Sequence, residues 1–183
     1  MKKTALLFVT VLTVQVAIAQ LVIKDSLNNG IGNIYLGDSL SKYQGYITAL
    51  HIIGEGKRKA ETIYSYDPIA AVPLNIGGVD FRLAMLTFDT SLHISFFSIS
   101  KMYNPTNDQA APKQGRLDYK KILAYLETIF QTKGIKKVIY DDKNSSLKGY
   151  EWKRTSSTIN FNIQEDTRSN VVFISLDFKA NPG

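Results

Sequence analysis

From residue 117 onward the chain reads as one amphipathic helix followed by four strand-like runs, and that order leaves few folds open. Between about Leu117 and Lys133, the residues Tyr119, Ile122, Leu123, Leu126, Ile129 and Phe130 recur at spacings of three and four, an apolar stripe along one helix face. Asp118 is expected at the positive end of that helix, Lys133 at its negative end, and Gly134 as its left-handed stop. The runs Ile135 to Tyr140, Lys148 to Arg154, Thr158 to Gln164 and Val171 to Lys179 follow. In the third, Ile159, Phe161 and Ile163 alternate with Asn160, Asn162 and Gln164, so one face is buried and the other wet. An antiparallel sheet backed by helices has that pattern.

The earlier residues suggest the same order. Asn33 to Leu36 reads as a short strand, Asp38 or Ser39 as an N-cap, and Leu40, Tyr43, Ile47 and Leu50 as the stripe of a second helix weakened by Gly45. Thr62 to Tyr66 reads as a strand ended by Pro68, and residues 68 to 78 as a loop. Val79 to Phe88 and Leu92 to Ser100 form an expected hairpin about Asp89-Thr90-Ser91. In its second arm the apolar phase switches between Leu92-Ile94-Phe96 and Phe97-Ile99, which a β-bulge near Phe96 and Phe97, or burial of both faces, explains. Residues 102 to 115 read as a linker.

The expected fold class is α+β, an antiparallel sheet of roughly six to eight strands packed by two main helices. Residues 20 to 183 form a single domain whose halves, 20 to 101 and 116 to 183, read as a pseudo-repeat of helix then strands. Its expected core holds Leu40, Ile47, Phe81, Leu83, Phe96, Ile122, Leu126, Ile129, Trp152, Phe161, Ile174 and Leu176.

Residues 1 to 19 read as a cleaved signal peptide. Lys2 and Lys3 precede an apolar run from Ala5, and Ala17-Ile18-Ala19 supplies the small-x-small site, so cleavage is expected between Ala19 and Gln20. The run is shorter than the roughly twenty residues that span a bilayer as a helix. The expected location is therefore periplasmic or secreted. The chain has no cysteine, which excludes an acylated lipoprotein cysteine, disulfides, thiolate nucleophiles and cysteine metal sites. The formal charge of +6 includes Lys2 and Lys3, and the longest basic run is Lys57-Arg58-Lys59, so no nucleic-acid partner is expected.

The segment Ile31-Gly32-Asn33-Ile34-Tyr35-Leu36-Gly37-Asp38-Ser39-Leu40 resembles the "strand, Leu-Gly-x-Ser/Thr, helix" opening of small exported bacterial proteins of the β-lactamase-inhibitor-protein-like type. Outer-membrane assembly lipoproteins with a helix pair on an antiparallel sheet are similar too. The helix from Asp118 to Lys133 and the later Tyr150-Glu151-Trp152 strand add to the likeness, which extends to many envelope proteins of bacteria. The resemblance implies a non-catalytic binding role in which a sheet face or loop meets a protein partner. It carries over no individual binding residue.

Chemistry-bearing constellations are sparse. His51 and His93 have no ligand or triad partner at a recognisable spacing. Asp141-Asp142-Lys143-Asn144-Ser145-Ser146 is rich in oxygens, but it lacks the ligand alternation and final glutamate of an EF-hand loop and reads as a polar turn. No metal, cofactor or catalytic residue is therefore assigned. The binding candidates are Tyr140, Tyr150, Trp152, Lys153 and Arg154, aromatics beside basic residues. Strand alternation favours the competing placement, with Tyr150 and Trp152 in the core and Lys153 and Arg154 solvated.

The leading expectation is an exported binding protein that uses its sheet face or the 54 to 61 and 102 to 116 loops to contact an envelope protein or glycan. A hydrolase of envelope glycans is the rival, using two of Asp25, Asp38, Glu55, Glu61 or Asp80. Edge-strand assembly is the third reading.

Overall fold

The computed structural model describes residues 27–51, 62–106 and 108–182. The signal peptide, Asp25, Glu55, Glu61 and the 54 to 61 loop lie outside them. The described residues form an α+β fold whose main element is an eight-stranded antiparallel sheet in the order β3-β4-β7-β8-β12-β11-β10-β9. Its strands are β3 (Ile47–His51), β4 (Thr62–Tyr66), β7 (Leu83–Phe88), β8 (Ile94–Tyr103), β9 (Ile135–Asp141), β10 (Ser145–Lys153), β11 (Ser157–Asp166) and β12 (Val171–Ala180). Two small ribbons, β1 (Gly30–Ile31) with β2 (Ile34–Tyr35) and β5 (Leu74–Ile76) with β6 (Val79–Phe81), complete the strands.

One long helix, Ala111–Phe130, packs on one face of the sheet against β8 and β12. Ile122, Leu126, Ile129 and Phe130 are buried along its stripe, and Tyr119 stacks on Phe161 of β11 with ring centroids 4.6 Å apart. Asp118, expected at the helix start, sits nearly two turns in and is buried. It accepts hydrogen bonds from Tyr103 Oη at 2.6 Å and Gln114 Nε2 at 2.7 Å, and Lys101 Nζ lies 3.8 Å away. Burial, with Asp118 adding to it, raises the Tyr103 phenol. This cluster pins the helix to β8.

Several expectations are corrected. The second main helix is absent: Leu40–Tyr43 is a 3-10 turn, Gly45 takes φ 85°, and Ile47–His51 is a strand paired with Thr62–Tyr66. His51 therefore ends a strand. The apolar spacing that suggested a helix instead places Tyr43 under Tyr66 and Phe88, with edge-on ring contacts at 5.7 and 6.4 Å. Parts of 102 to 115 are regular structure, because β8 runs to Tyr103 and the long helix starts at Ala111. Pro112 is tolerated there, since the first helical turn has no intrahelical N–H bond to lose. The same helix stops early, with Gln131 and not Gly134 in the left-handed cap at φ 54°. Gly134 is required for another reason: a Cβ there would lie 2.8 Å from the Trp152 ring.

The expected core is right at Phe81, Ile122, Leu126, Ile129, Trp152, Phe161, Ile174 and Leu176, all buried. Leu83 and Phe96 are corrected. β7 pairs Thr87 with Phe96 but Phe88 with Ile94, so Ser95 is the extra residue of a bulge that returns Phe97 and Ile99 to the inner face and sends Phe96 outward. An irregular residue at Arg82 between β6 and β7 likewise shifts the phase, so Ala84 and Leu86 are buried and Leu83 is 51% exposed.

Candidate functional site

The long helix, the β5–β6 ribbon and the 27–43 segment all contribute to the core on one face of the sheet. The opposite face carries alternate residues of every strand, and the described contacts of the helix all go to the inner side. Register places those outer residues in rows that cross the strands. One row runs Glu151, Asn160, Asp177, Ser98, Met85 and Ser65. The next runs Gly149, Asn162, Ser175, Ser100 and Leu83. Lys153, Lys179 and Phe96 stand on one side of this pair of rows and Leu147, Gln164, Phe173 and Met102 on the other, all longer than the serines and the glycine between them.

Small residues between taller ones make a groove. Ser98, Ser100 and Ser175 are buried in it although no described helix covers them. From β10 to β8 the groove crosses three strand spacings, about 14 Å. Its floor is a hydrogen-bonded chain. Ser98 Oγ donates to Asp177 Oδ1 at 2.6 Å, Asn162 Nδ2 donates to Asp177 Oδ2 at 2.7 Å, and the Ser175 hydroxyl adds a third bond. The Asn162 amide reaches over Gly149, where a Cβ would strike Asn162 Oδ1 and lie 2.5 Å from the Phe161 carbonyl oxygen. A glycine is thus what lets the amide lie flat and turn its nitrogen toward Asp177.

Burial dominates the Asp177 carboxyl and raises it above the ordinary carboxylate value. The hydrogen bonds from Ser98, Ser175 and Asn162 act the other way without offsetting it. Among the described residues no cation pairs with Asp177. Ser100 Oγ, two residue pairs along β8 and β12, is buried without a hydrogen-bond partner among the described residues. The groove therefore holds a carboxyl whose hydrogen-bond partners are neutral, beside an unused hydroxyl.

The five residues expected from sequence do not meet on one surface. Trp152 is 4% exposed, tilts on Phe130 at 5.2 Å and donates from Nε1 to the Thr132 carbonyl at 3.1 Å. Tyr150 is half-buried on the same inner side, 6.4 Å from Trp152. Arg154 also turns inward, its guanidinium 4.5 Å from the Phe130 ring centroid, where Nε and Nη2 are buried without partners and burial lowers its pKa. Lys153 lies on the outer face, exposed, 3.9 Å from Glu151. Tyr140 is on the same face at the β9 edge, paired in register with Leu147.

The remaining candidates have local duties. Asp38 accepts from Tyr43 Oη at 2.6 Å, Lys42 Nζ at 2.7 Å and Tyr35 N at 3.1 Å. Burial opposes its ionisation, but these bonds hold the carboxyl below its usual value. Asp80 accepts from Asn75 Nδ2 at 2.8 Å within its ribbon. His93 is exposed beside the Asp89 turn. Asp142 Oδ1 accepts from Asn144 N and Ser145 N, closing the β9–β10 turn. A depression of about 460 Å³ at the end of the long helix, lined by Ala124, Glu127, Thr128, Gln131, Thr132 and Lys133, contains one carboxylate. Among the described residues, no group of three histidine or acidic side chains is placed to hold a metal ion, and no helix is long and apolar enough to cross a membrane.

The groove residues Ser98, Ser100, Gly149, Asn162, Ser175 and Asp177 were not singled out from sequence. Their only signal was polar residues on alternate strand positions, which reads equally as a wet face. Comparison with family models, curated proteins and solved structures found no match to this chain.

Proposed function

We propose that the chain is an exported, non-catalytic interaction protein that binds a protein partner on its open sheet face. The observation that carries this reading is the groove itself, a hydrogen-bonding floor bordered by Leu83, Met85, Phe96, Met102 and Phe173 on a face that no described helix covers. Met102 is 53% exposed and Leu83 51%, and large apolar side chains gathered on one face in water mark an interaction surface. Export rests on the apolar leader and its Ala17-Ile18-Ala19 site. The single-layer backing of the sheet agrees with the binding role that the resemblance implies.

A photo-crosslinking amino acid placed at Phe96 or Phe173 in exported protein tests this. Crosslinks are expected from both positions and not from Lys120, which is exposed on the long helix. Crosslinking from Lys120 alone, or none from the sheet face, overturns it.

A second reading is favoured by β9. All seven of its residues are exposed, Ile135, Val138 and Ile139 by 57% or more, and among the described residues it is an edge strand of the sheet. An extended segment of a partner adds to such an edge by main-chain hydrogen bonds. Lys136, Lys137 and the bulge at Ile139 are features that also guard edges against unwanted pairing. A proline at Val138 that abolishes the crosslinks from Phe96 and Phe173 supports the edge; unchanged crosslinks exclude it.

A further inference from the structure

Resting on the reading of the open face as a protein-binding surface, we propose that the groove is a receptor for a primary ammonium group, the lysine side chain of the partner, seated over Asp177 and Ser100. Two separate observations converge there. Asp177 is a carboxyl whose partners Ser98, Asn162 and Ser175 are all neutral, so no described cation balances its charge when it ionises. Ser100 Oγ is 1% exposed and makes no hydrogen bond, although it lies on the same face, across from Ser175 and two residues from Ser98. A buried hydroxyl with no partner is uncommon in folded proteins, and a ligand donor relieves it.

The acceptor set selects the kind of cation. Each carboxylate oxygen offers about two lone-pair sites, of which Ser98 takes one on Oδ1, Asn162 one on Oδ2 and the Ser175 hydroxyl a third. A guanidinium fork needs both oxygens free along one edge. An ammonium is a compact charge with three donors, and the register makes neighbours of three oxygens in the floor: Asp177, Ser100 Oγ and Ser98 Oγ, whose own proton already points at Asp177. The other charges nearby are accounted for. Lys179 faces the same side from β12 and is exposed, without an ion pair to Asp177. Glu151, in the same row, is held by Lys137 at 3.2 Å, and Lys101 lies on the opposite face with Asp118. β11 contributes only Thr158, Asn160, Asn162 and Gln164 to this face near Asp177.

The test is a pH titration of the full chain carrying ¹³C at the aspartate carboxyls, with n-butylammonium as the probe and Asp177→Asn to identify the resonance. Alone, Asp177 titrates above the ordinary carboxylate value. With butylammonium its midpoint falls by about one unit or more, as an opposite charge at contact distance requires. Ser100→Ala weakens the probe roughly three- to tenfold by removing one hydrogen bond. A midpoint that butylammonium leaves unmoved overturns the proposal, and so does a larger fall with methylguanidinium. If the midpoint is unmoved while Phe96 and Phe173 still crosslink, the ammonium assignment alone fails and the interaction surface stands.

Discussion

Replacing Gly149 by alanine probes the groove at its tightest point. The added Cβ would strike Asn162 Oδ1 and lie 2.5 Å from the Phe161 carbonyl oxygen, so both a side chain and the backbone of β11 must move. Overpacking of this kind costs about 1–3 kcal/mol. Moving the Asn162 amide also breaks its 2.7 Å bond to Asp177, and a hydrogen bond to a charged group contributes about 1.5–3 kcal/mol. Against these, alanine in a strand recovers about 0.5–1 kcal/mol of backbone entropy. The losses win by about 3 kcal/mol. With a urea m-value of about 2 kcal/mol/M, the unfolding midpoint falls by about 1.5 M. Trp152 is the single tryptophan and is buried against Phe130, so its fluorescence follows the transition. The Asp177 midpoint should rise further in this variant, since Asn162 is one of the groups holding it down. In an Asn162→Ala background the cost should shrink to the clash with the Phe161 carbonyl. A unfolding midpoint within about 0.3 M of the parent's refutes the reasoning, because the cradle would then be loose enough to take a methyl group.

Other outcomes follow from the same geometry. Because the folded Asp177 carboxyl lies above its unfolded value, the native state keeps a proton that the unfolded chain releases, and stability falls as pH rises from the unfolded value through the folded one. Asp177→Asn should remove that fall, so the thermal midpoints of the two proteins should diverge in favour of asparagine as the pH rises above about 4; parallel curves count against a raised carboxyl. Tyr103→Phe deletes the 2.6 Å bond to the buried Asp118 and should cost about 2 kcal/mol in urea, with a much smaller effect once Asp118 is asparagine. Arg154→Met keeps the packing on Phe130 while removing the unpartnered Nε and Nη2, so unfolding should show no loss or a slight gain in stability, whereas Arg154→Ala should lose about 1 kcal/mol.

What the sequence disclosed follows from how local each pattern is. The alternation of Ile159, Phe161 and Ile163 and the stripe of Ile122, Leu126 and Ile129 are set by neighbours a few residues away, and both elements stand where periodicity puts them. Leu40 to Leu50 misled because apolar spacings of three and four also arise when a 3-10 turn meets a strand. Pairing with Thr62–Tyr66, a non-local event, decides the outcome. The groove was hidden for the same reason. Ser98, Gly149, Asn162 and Asp177 come from four strands, and only the register between β8, β12, β11 and β10 makes them neighbours. Trp152 and Tyr150 looked available because their basic neighbours were visible in the sequence. Strand alternation, the simpler rule, places them inside.

The position of β12 bears on how the chain reaches its final state. This strand follows all the others in sequence yet lies between β8 and β11, so it alone joins the N-terminal strands to the C-terminal hairpins. Its partners on β8 are 69 to 83 residues away, and closing so long a loop before any pairing is gained makes such a step slow. Until it occurs, β8 and β11 each present a raw, apolar edge. Two of the six groove residues, Ser175 and Asp177, arrive with the same strand. Assembly of the sheet and completion of its binding face are thus one kinetic event, and a nascent chain halted before Val171 has neither.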